Sequence, residues 1–573
     1  MMMTDMYKAV VTGQVRLTRA RVVSNDPNKG CLRNRNPNLV NVVGKGKLGG
    51  NIFISSPLQP MSIPIQRRRR LVASYNNNNI WHCIPSSSYG DPCLDLFFDA
   101  LRPEYRDVNP CLKYLEQLLP LAWSHDPLTT LKLIFTFPSI YFSEKKFDTA
   151  VLWLHHNHPK TLLRNLHSIA DVPFVDCPGG ESWYLVQILY NVLVQKPDGQ
   201  VHDAAAHPHL HPERYHGDPD YRLLHDRVIH IFVERLKSDI DKMVQSDYIT
   251  DAAACCTAAL LWDKHRTSTI FLRDSIARRL SLPGSDQLEE EFLVPLTNYY
   301  NKEIEKQNLE EEYLYKVKAA TDLGGGIGII KPDALLPHQI IGYVGNKEKE
   351  GFGEVIELQW KAMVDLYQKQ GEGLSKFKNM LVVPQCRLKY HLEIGLGLLV
   401  SELSEEPWKG KLIGGGDEPF FIRGDNDLKS KCELWRKSDK SSVLGVIDLI
   451  LEAGVNANLK AGQMIKKVIV FTELESGELQ YQLLRSEYEA IQSKYKDKGY
   501  GNDAVPHILY WDWDFGMSSD SWICTQHPGF TMLMGSSDNL VKSFCHNAGE
   551  IGPHHLVEAT IAGKEYQTFT VVD

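Results

Sequence analysis

Apolar positions change their spacing twice along this chain. From about Asp91 to residue 370 they recur at three- and four-residue intervals in short runs: Leu112, Leu115, Leu118 and Leu119, then Leu128–Phe135, Ala150–Leu154, Thr161–Ile169, Trp183–Val194 and Tyr221–Ile240. That spacing predicts amphipathic helices, and a proline interrupts one run after another, at Pro120 and at Asp126-Pro127, as helix boundaries do. No fixed repeat length emerges, so the expectation is an irregular α-helical, repeat-like array. A further helix is expected over Glu354–Gln368. Residues 282–345 mix acidic clusters at Glu289–Glu291 and Glu310–Glu312 with a glycine run at Gly324–Gly326, and the segment Gly324–Gly328 reads as a flexible connector rather than a phosphate loop.

After Gly373 the pattern alternates between short β-type runs and helical ones. Asn379–Val383, Lys411–Ile413, Phe420–Ile422, Lys467–Phe471, His507–Trp511 and Phe530–Met534 read as strands. Leu392–Leu403, Ser441–Ala453, Leu484–Tyr495 and a run from Leu540 read as helices. Lys467–Phe471 is apolar nearly throughout, as a strand covered on both faces requires. Alternating strands and helices predict a doubly wound, mostly parallel sheet. The fold class is therefore α + α/β and multidomain: residues 1–90 a basic, disordered region, 91–370 the helical array, and 371–573 the α/β domain.

Charge sharpens that division. The formal net charge is −8, yet residues 1–75 hold 13 Lys and Arg against 2 Asp and Glu, including the run Arg67–Arg70. A basic arm on an acidic body suits nucleic acid or a targeting receptor, or is simply solvated. The 11 cysteines are an odd number without a CxxC pair, which fits reduced thiols in the cytoplasm or nucleus. No secretory leader or membrane span is read from the sequence.

Residues 195–219 contain His202, His207, His209, His211 and His216 among prolines. Imidazoles bind zinc, copper or nickel, but no HExxH or finger spacing accompanies them, and a histidine-rich surface loop is the plainer reading. No GxSxG, complete phosphate loop or zinc-protease helix is present, so no catalytic residue is assigned. In a doubly wound sheet ligands bind beyond the carboxyl ends of the strands. Here those ends read Pro384-Gln385-Cys386-Arg387, Thr472-Glu473-Leu474-Glu475 and Asp512-Trp513-Asp514.

Several stretches resemble a known family. Leu396-Gly397-Leu398-Leu399-Val400-Ser401-Glu402-Leu403, with Glu406-Pro407-Trp408-Lys409-Gly410 after it, is similar to plant proteins that carry domain of unknown function 2828. So are Asp220-Tyr221-Arg222-Leu223-Leu224-His225-Asp226-Arg227-Val228, Ala334-Leu335-Leu336-Pro337-His338 and Gly563-Lys564-Glu565-Tyr566-Gln567. The resemblance covers roughly Asp91–Asp573. It implies a helical half like the TROVE module of the Ro RNA-binding autoantigen and a C-terminal half like a von Willebrand A domain. In that domain a divalent ion sits in an Asp-x-Ser-x-Ser loop, with a later Thr and an Asp after a central strand. The present chain offers Pro384, Gln385 and Arg387 in the first loop, Ser441 or Ser442 at the threonine position, and Glu473 at the aspartate position. The implied metal site is therefore lost, with Ser441, Ser442 and Glu473 as residual candidates for a weak divalent cation.

The expected function is a non-enzymatic binding or scaffold protein with a protein partner, no membrane and no cofactor. One alternative is RNA binding through the helical region, for which Arg222, Arg227, Lys237, Arg273, Arg278 and Arg279 are the candidate contacts. Another is a metal-dependent interaction module that uses the residual Ser and Glu ligands.

Overall fold

The apolar stripes of the first half become buried helix faces. The computed structural model describes residues 89–573 apart from single positions and internal stretches, chiefly 101–108, 139–143, 173–181, 196–209, 246–255, 262–266, 305–308, 323–327, 371–376, 385–390, 424–426, 473–477 and 513–521. The basic N-terminal arm lies outside the described residues, except for Tyr89 and Gly90. The helical half begins with α1 (Pro92–Ala100), α2 (Asn109–His125), α3 (Pro127–Ile134), α4 (Glu144–Asn157), α5 (Pro159–Ile169) and α6 (Trp183–Val194). It continues with α7 (Leu210–Gly217), α8 (Pro219–Gln245) and α9 (Thr267–Arg279). Aspartates start two of these helices. The Asp126 carboxylate accepts the Thr129 N–H at 3.0 Å, with Pro127 pre-set for the first turn of α3. Asp218 likewise accepts the N–H groups of Asp220 and Tyr221 at 3.0 and 3.1 Å.

One expectation needs correction. Pro120 does not end its helix; it sits exposed inside α2, while Leu115, Leu118, Leu119, Ala122 and Trp123 form one buried stripe on both sides of it. Packing of that stripe offsets an interior proline, which costs about 3 kcal/mol. Residues 282–345 continue the helical half. They carry α10 (Ser285–Leu288), a π-helical turn (Glu289–Leu293), α11 (Val294–Ile304), α12 (Leu309–Asp322) and α13 (Pro337–Tyr343). The acidic cluster Glu310–Glu312 occupies the first turn of α12, where the helix dipole favours it. Leu288, Phe292, Leu293, Leu314 and Val317 are buried. Gly324–Gly326 lie outside the described residues.

Helix α14 (Gly353–Gln370) leads to the α/β half: β1 (Met380–Pro384), α15 (His391–Leu403), β2 (Lys411–Gly414), β3 (Phe420–Arg423), α16 (Leu428–Lys437) and α17 (Val443–Asn456). Then come β4 (Lys467–Phe471), α18 (Glu478–Asp497), β5 (His507–Asp512), β6 (Trp522–His527), β7 (Phe530–Met534), α19 (Asp538–His546) and α20 (Pro553–Thr560). The main sheet has the order β1-β4-β5-β7-β6. Its first four strands are parallel, in a register that sets Pro384, Phe471 and Trp511 side by side. All residues of β1, β4 and β7 are buried, as expected for strands covered on both faces. Strand β6 runs antiparallel at the edge, joined to β7 by the Pro528-Gly529 turn, and β2–β3 form a hairpin of their own. The fold is α + α/β.

The halves are packed together. Helices α13 and α14 lie against α15. The last residues return to α5: the Asn165 amide donates to the Thr570 carbonyl at 2.6 Å and accepts its N–H at 2.8 Å, while Asp573 accepts the Thr161 N–H at 2.9 Å. Asn165 is almost fully buried. Its replacement by alanine strands two polar groups of Thr570, at about 1–3 kcal/mol for each buried group left unpaired. Amide exchange at Thr570 should accelerate at least tenfold in Asn165→Ala; unchanged protection would show that the tail is held by other contacts.

Candidate functional site

Helices α7, α8 and α9 and the turn at Pro283-Gly284 enclose a cleft of about 660 Å³. The turn between α7 and α8, fixed by Asp218, folds the two helices against each other, so that Tyr215 of α7 faces Asp226 of α8. The Tyr215 hydroxyl donates to Asp226 Oδ1 at 3.0 Å. The same oxygen lies 3.4 Å from His225 Nδ1 and 3.7 Å from an Arg279 guanidinium nitrogen. Asp226 thus orients a tyrosine and a histidine and partly neutralises an arginine.

Two histidines in the cleft wall are buried, His211 at 7% and His225 at 4% exposure, and neither Nε2 atom has a hydrogen-bond partner. The His211 ring lies parallel to Phe271 at 4.5 Å and to Tyr215 at 5.9 Å between centroids. Burial pushes the His211 pKa down to about 4, helped by the neighbouring His225, Arg278 and His216. Burial also lowers that of His225, although Asp226 opposes it. Both rings are therefore neutral at pH 7.

The candidate basic residues separate. Arg278 and Arg279 are exposed and line the cleft, with Arg278 donating to Ser275 Oγ at 3.2 Å. Arg222 is exposed on α8, close enough for its charge to act on the Tyr215 hydroxyl. Arg227 is exposed and Lys237 half-buried, and neither lines the cleft. Arg273 is not a surface cation: it is buried, 2.5 Å from Glu289 and 3.2 Å from the Ser285 carbonyl, and it ties α9 to the turn that closes the cleft. Its arginine-rich helix made Arg273 look like its neighbours in sequence; only packing distinguishes them. Of the histidine-rich segment, His202, His207 and His209 lie outside the described residues, His211 is in the cleft wall and His216 is exposed at its edge. Among the described residues, no group of three or more His, Cys, Asp or Glu is placed to hold a metal ion.

At the carboxyl end of the sheet, Ser441 is buried and its N–H donates to the Pro384 carbonyl at 3.1 Å, which brings it to the tip of β1. Ser442 is the N-cap of α17, its hydroxyl 3.4 Å from the Gly445 N–H. Glu473, Gln385, Cys386 and Arg387 lie outside the described residues. At the opposite end, a cleft of about 670 Å³ is lined by Lys467, His507, Thr531 and Glu550 among others. Its polar groups pair internally: Lys467 with Glu550 at 2.7 Å and the Gly549 carbonyl at 2.9 Å, and His507 with Thr531 at 2.9 Å. The unpartnered imidazoles and open arginines make the helical cleft the stronger candidate. Among the described residues, no helix is long and apolar enough to cross a membrane.

Comparison with known proteins finds two domains of unknown function in the chain. Residues 82–179 match DUF2828 and residues 378–568 match DUF7788. The C-terminal stretches that resemble the first family thus fall within the second. The chain is also 25% identical over 301 residues to "Uncharacterized protein L728" of Acanthamoeba polyphaga mimivirus, covering 49% of this chain and 50% of that protein. The chain therefore spans about half the length of that curated relative. No solved structure matches it.

Proposed function

We propose that this carrier of a DUF2828 and a DUF7788 domain is a non-enzymatic binding protein whose helical half takes up single-stranded RNA in the cleft between α7, α8 and α9. The observation that carries this reading is the pair of exposed arginines, Arg278 and Arg279, beside a wall of stacked aromatic rings. Single strands are held by that combination: cations track the phosphates, and bases meet aromatic and polar groups in a groove. The resemblance of the helical half to the TROVE module points the same way. The strand order of the C-terminal half supports a von Willebrand A-like domain that acts without a metal: the Ser442 hydroxyl, a residual ligand candidate, already caps α17.

The test is fluorescence anisotropy with labelled single-stranded RNA across a salt series. Affinity should fall with salt, because each phosphate neutralised on a single strand contributes a slope of about −0.7. The double variant Arg278→Ala/Arg279→Ala should flatten that slope by about 1.4 and weaken binding at low salt. Absence of binding, or a salt response that the variant leaves unchanged, would reject the reading.

A further inference from the structure

Helix α5 begins without a cap of its own. In α3, α17 and α19 the residue before the helix, Asp126, Ser442 or Ser537, accepts an N–H of the first turn. The residue before α5 is His158, whose side chain makes no such bond. Its ring is stacked on Trp123 at 4.0 Å between centroids and hydrogen-bonds to the Asp573 main chain. The missing acceptor is the Asp573 carboxylate, which lies 413 positions beyond Lys160 in sequence. Its Oδ2 accepts the Lys160 N–H at 3.0 Å, and its Oδ1 accepts the Thr161 N–H at 2.9 Å and the Thr161 hydroxyl at 2.5 Å. With Pro159 opening the helix, these are the second and third amides, the ones an N-cap side chain serves. Bonds also run the other way. The Thr161 hydroxyl oxygen accepts the N–H groups of Val572 and Asp573 at 3.1 and 3.3 Å, and Asn165 pairs with both polar groups of Thr570.

Residues 570–573 are a thin cover over this surface. Thr161 and Asn165 beneath them are 0% and 1% exposed, whereas Thr570, Val572 and Asp573 are exposed and none of the four residues is in a helix or strand. Phe569, just before them, is the anchor: it is buried, with its ring 5.6 Å from that of Phe135. Beyond Phe569 the segment is held chiefly by hydrogen bonds near the surface, and each of these contributes little because water competes for both partners. Segments with few buried apolar contacts open at a lower free energy than the core. We infer that residues 570–573 form a latch, hinged at Phe569, that opens as one unit while the rest of the chain stays folded, with Asp573 serving as the N-cap that α5 lacks locally. Opening uncaps α5 and uncovers the Thr161 hydroxyl and the Asn165 amide. Closing ties the first turn of α5 to a segment that follows the α/β half, so the helical half is completed only when that half is in place.

The experiment is native-state amide hydrogen exchange on the full chain, resolved to single residues by mass spectrometry. In the wild type the amides of Lys160, Thr161, Thr570, Val572 and Asp573 should share one protection factor, well below those of Leu166 inside α5 and Val470 inside β4. Asp573→Ala should speed exchange at Lys160 and Thr161 by about 5-fold, the usual effect of losing an N-cap, and leave Leu166 and Val470 unchanged. Asp573→Asn should stay close to the wild type, because asparagine caps as well as aspartate. A merely space-filling role for Asp573 would not separate alanine from asparagine in this way. Protection of the five amides equal to that of Val470, or five unrelated values, overturns the latch on the wild-type protein alone. Unchanged exchange at Thr161 in Asp573→Ala, or equal acceleration in Asp573→Asn, overturns the capping role.

Discussion

Alanine at Gly395 and Gly397 together should lower the stability of the chain by about 4 kcal/mol, despite alanine's better helix propensity. Both glycines lie inside α15, where two other helices approach. A Cβ on Gly395 would stand 2.8 Å from the Pro337 carbonyl carbon and 3.0 Å from the His338 N, both backbone atoms at the start of α13. A Cβ on Gly397 would stand 2.3 Å from the Trp435 indole of α16. That ring cannot swing aside: it is fully buried, and its N–H lies 3.3 Å from Glu393 Oε1. Each alanine gains about 1 kcal/mol of helix propensity and forces a displacement that costs about 3 kcal/mol in a packed interior. Gly353, at the start of α14, has nothing within 4 Å of its Cβ position. Gly353→Ala should therefore melt with the wild type, while the double variant melts several degrees lower and exposes the α13 region to limited proteolysis. A double variant as stable as the wild type would mean that α13, α15 and α16 are not in this close contact.

The second large effect is a pH-dependent one at Asp239. This carboxyl is 2% exposed inside α8, and its Oδ2 has no hydrogen-bond partner. Burial raises its pKa from 3.8 to about 7, with Lys242 and Arg235 opposing the rise. Below about pH 4 the group is protonated in both the folded and the unfolded chain, and Asp239→Asn should match the wild type. Between about pH 4 and 7 the unfolded chain ionises while the folded chain keeps its proton, so the wild type loses stability as pH rises. Asparagine has no such proton, and its relative advantage should grow by roughly 1.4 kcal/mol per pH unit and level off above about pH 7. Thermal melting of the two proteins from pH 4 to 8 measures this directly. A constant difference across that range would place Asp239 in contact with water or a cation.

Much of the architecture was legible because local pattern and burial agree. Trp183–Val194, Lys467–Phe471 and Phe530–Met534 run between the very residues expected, since each is an almost continuous apolar run bounded by polar or turn residues. Pro120 looked like a terminator because propensity was weighed without the packing that offsets it. The hairpin of β6 and β7 breaks the strand–helix alternation on which the α/β reading was built, and so β6 escaped notice. In the cleft, the arginines were visible as a cluster along α9, but charge alone could not show that Arg273 faces Glu289 inside the protein while Arg278 and Arg279 face outward.

Sequence by itself determined the order of most elements, the division into helical and α/β halves, and the residues able to bear charge. These are properties of neighbours three, four or two positions apart, which periodicity records. Only tertiary structure decided that His211 and His225, fourteen positions apart on two helices, share one wall with Arg278 and Arg279 from a third. That meeting depends on how the α7–α8 turn and the Arg273–Glu289 pair aim their helices, and no local pattern encodes the direction in which a buried ring finally points.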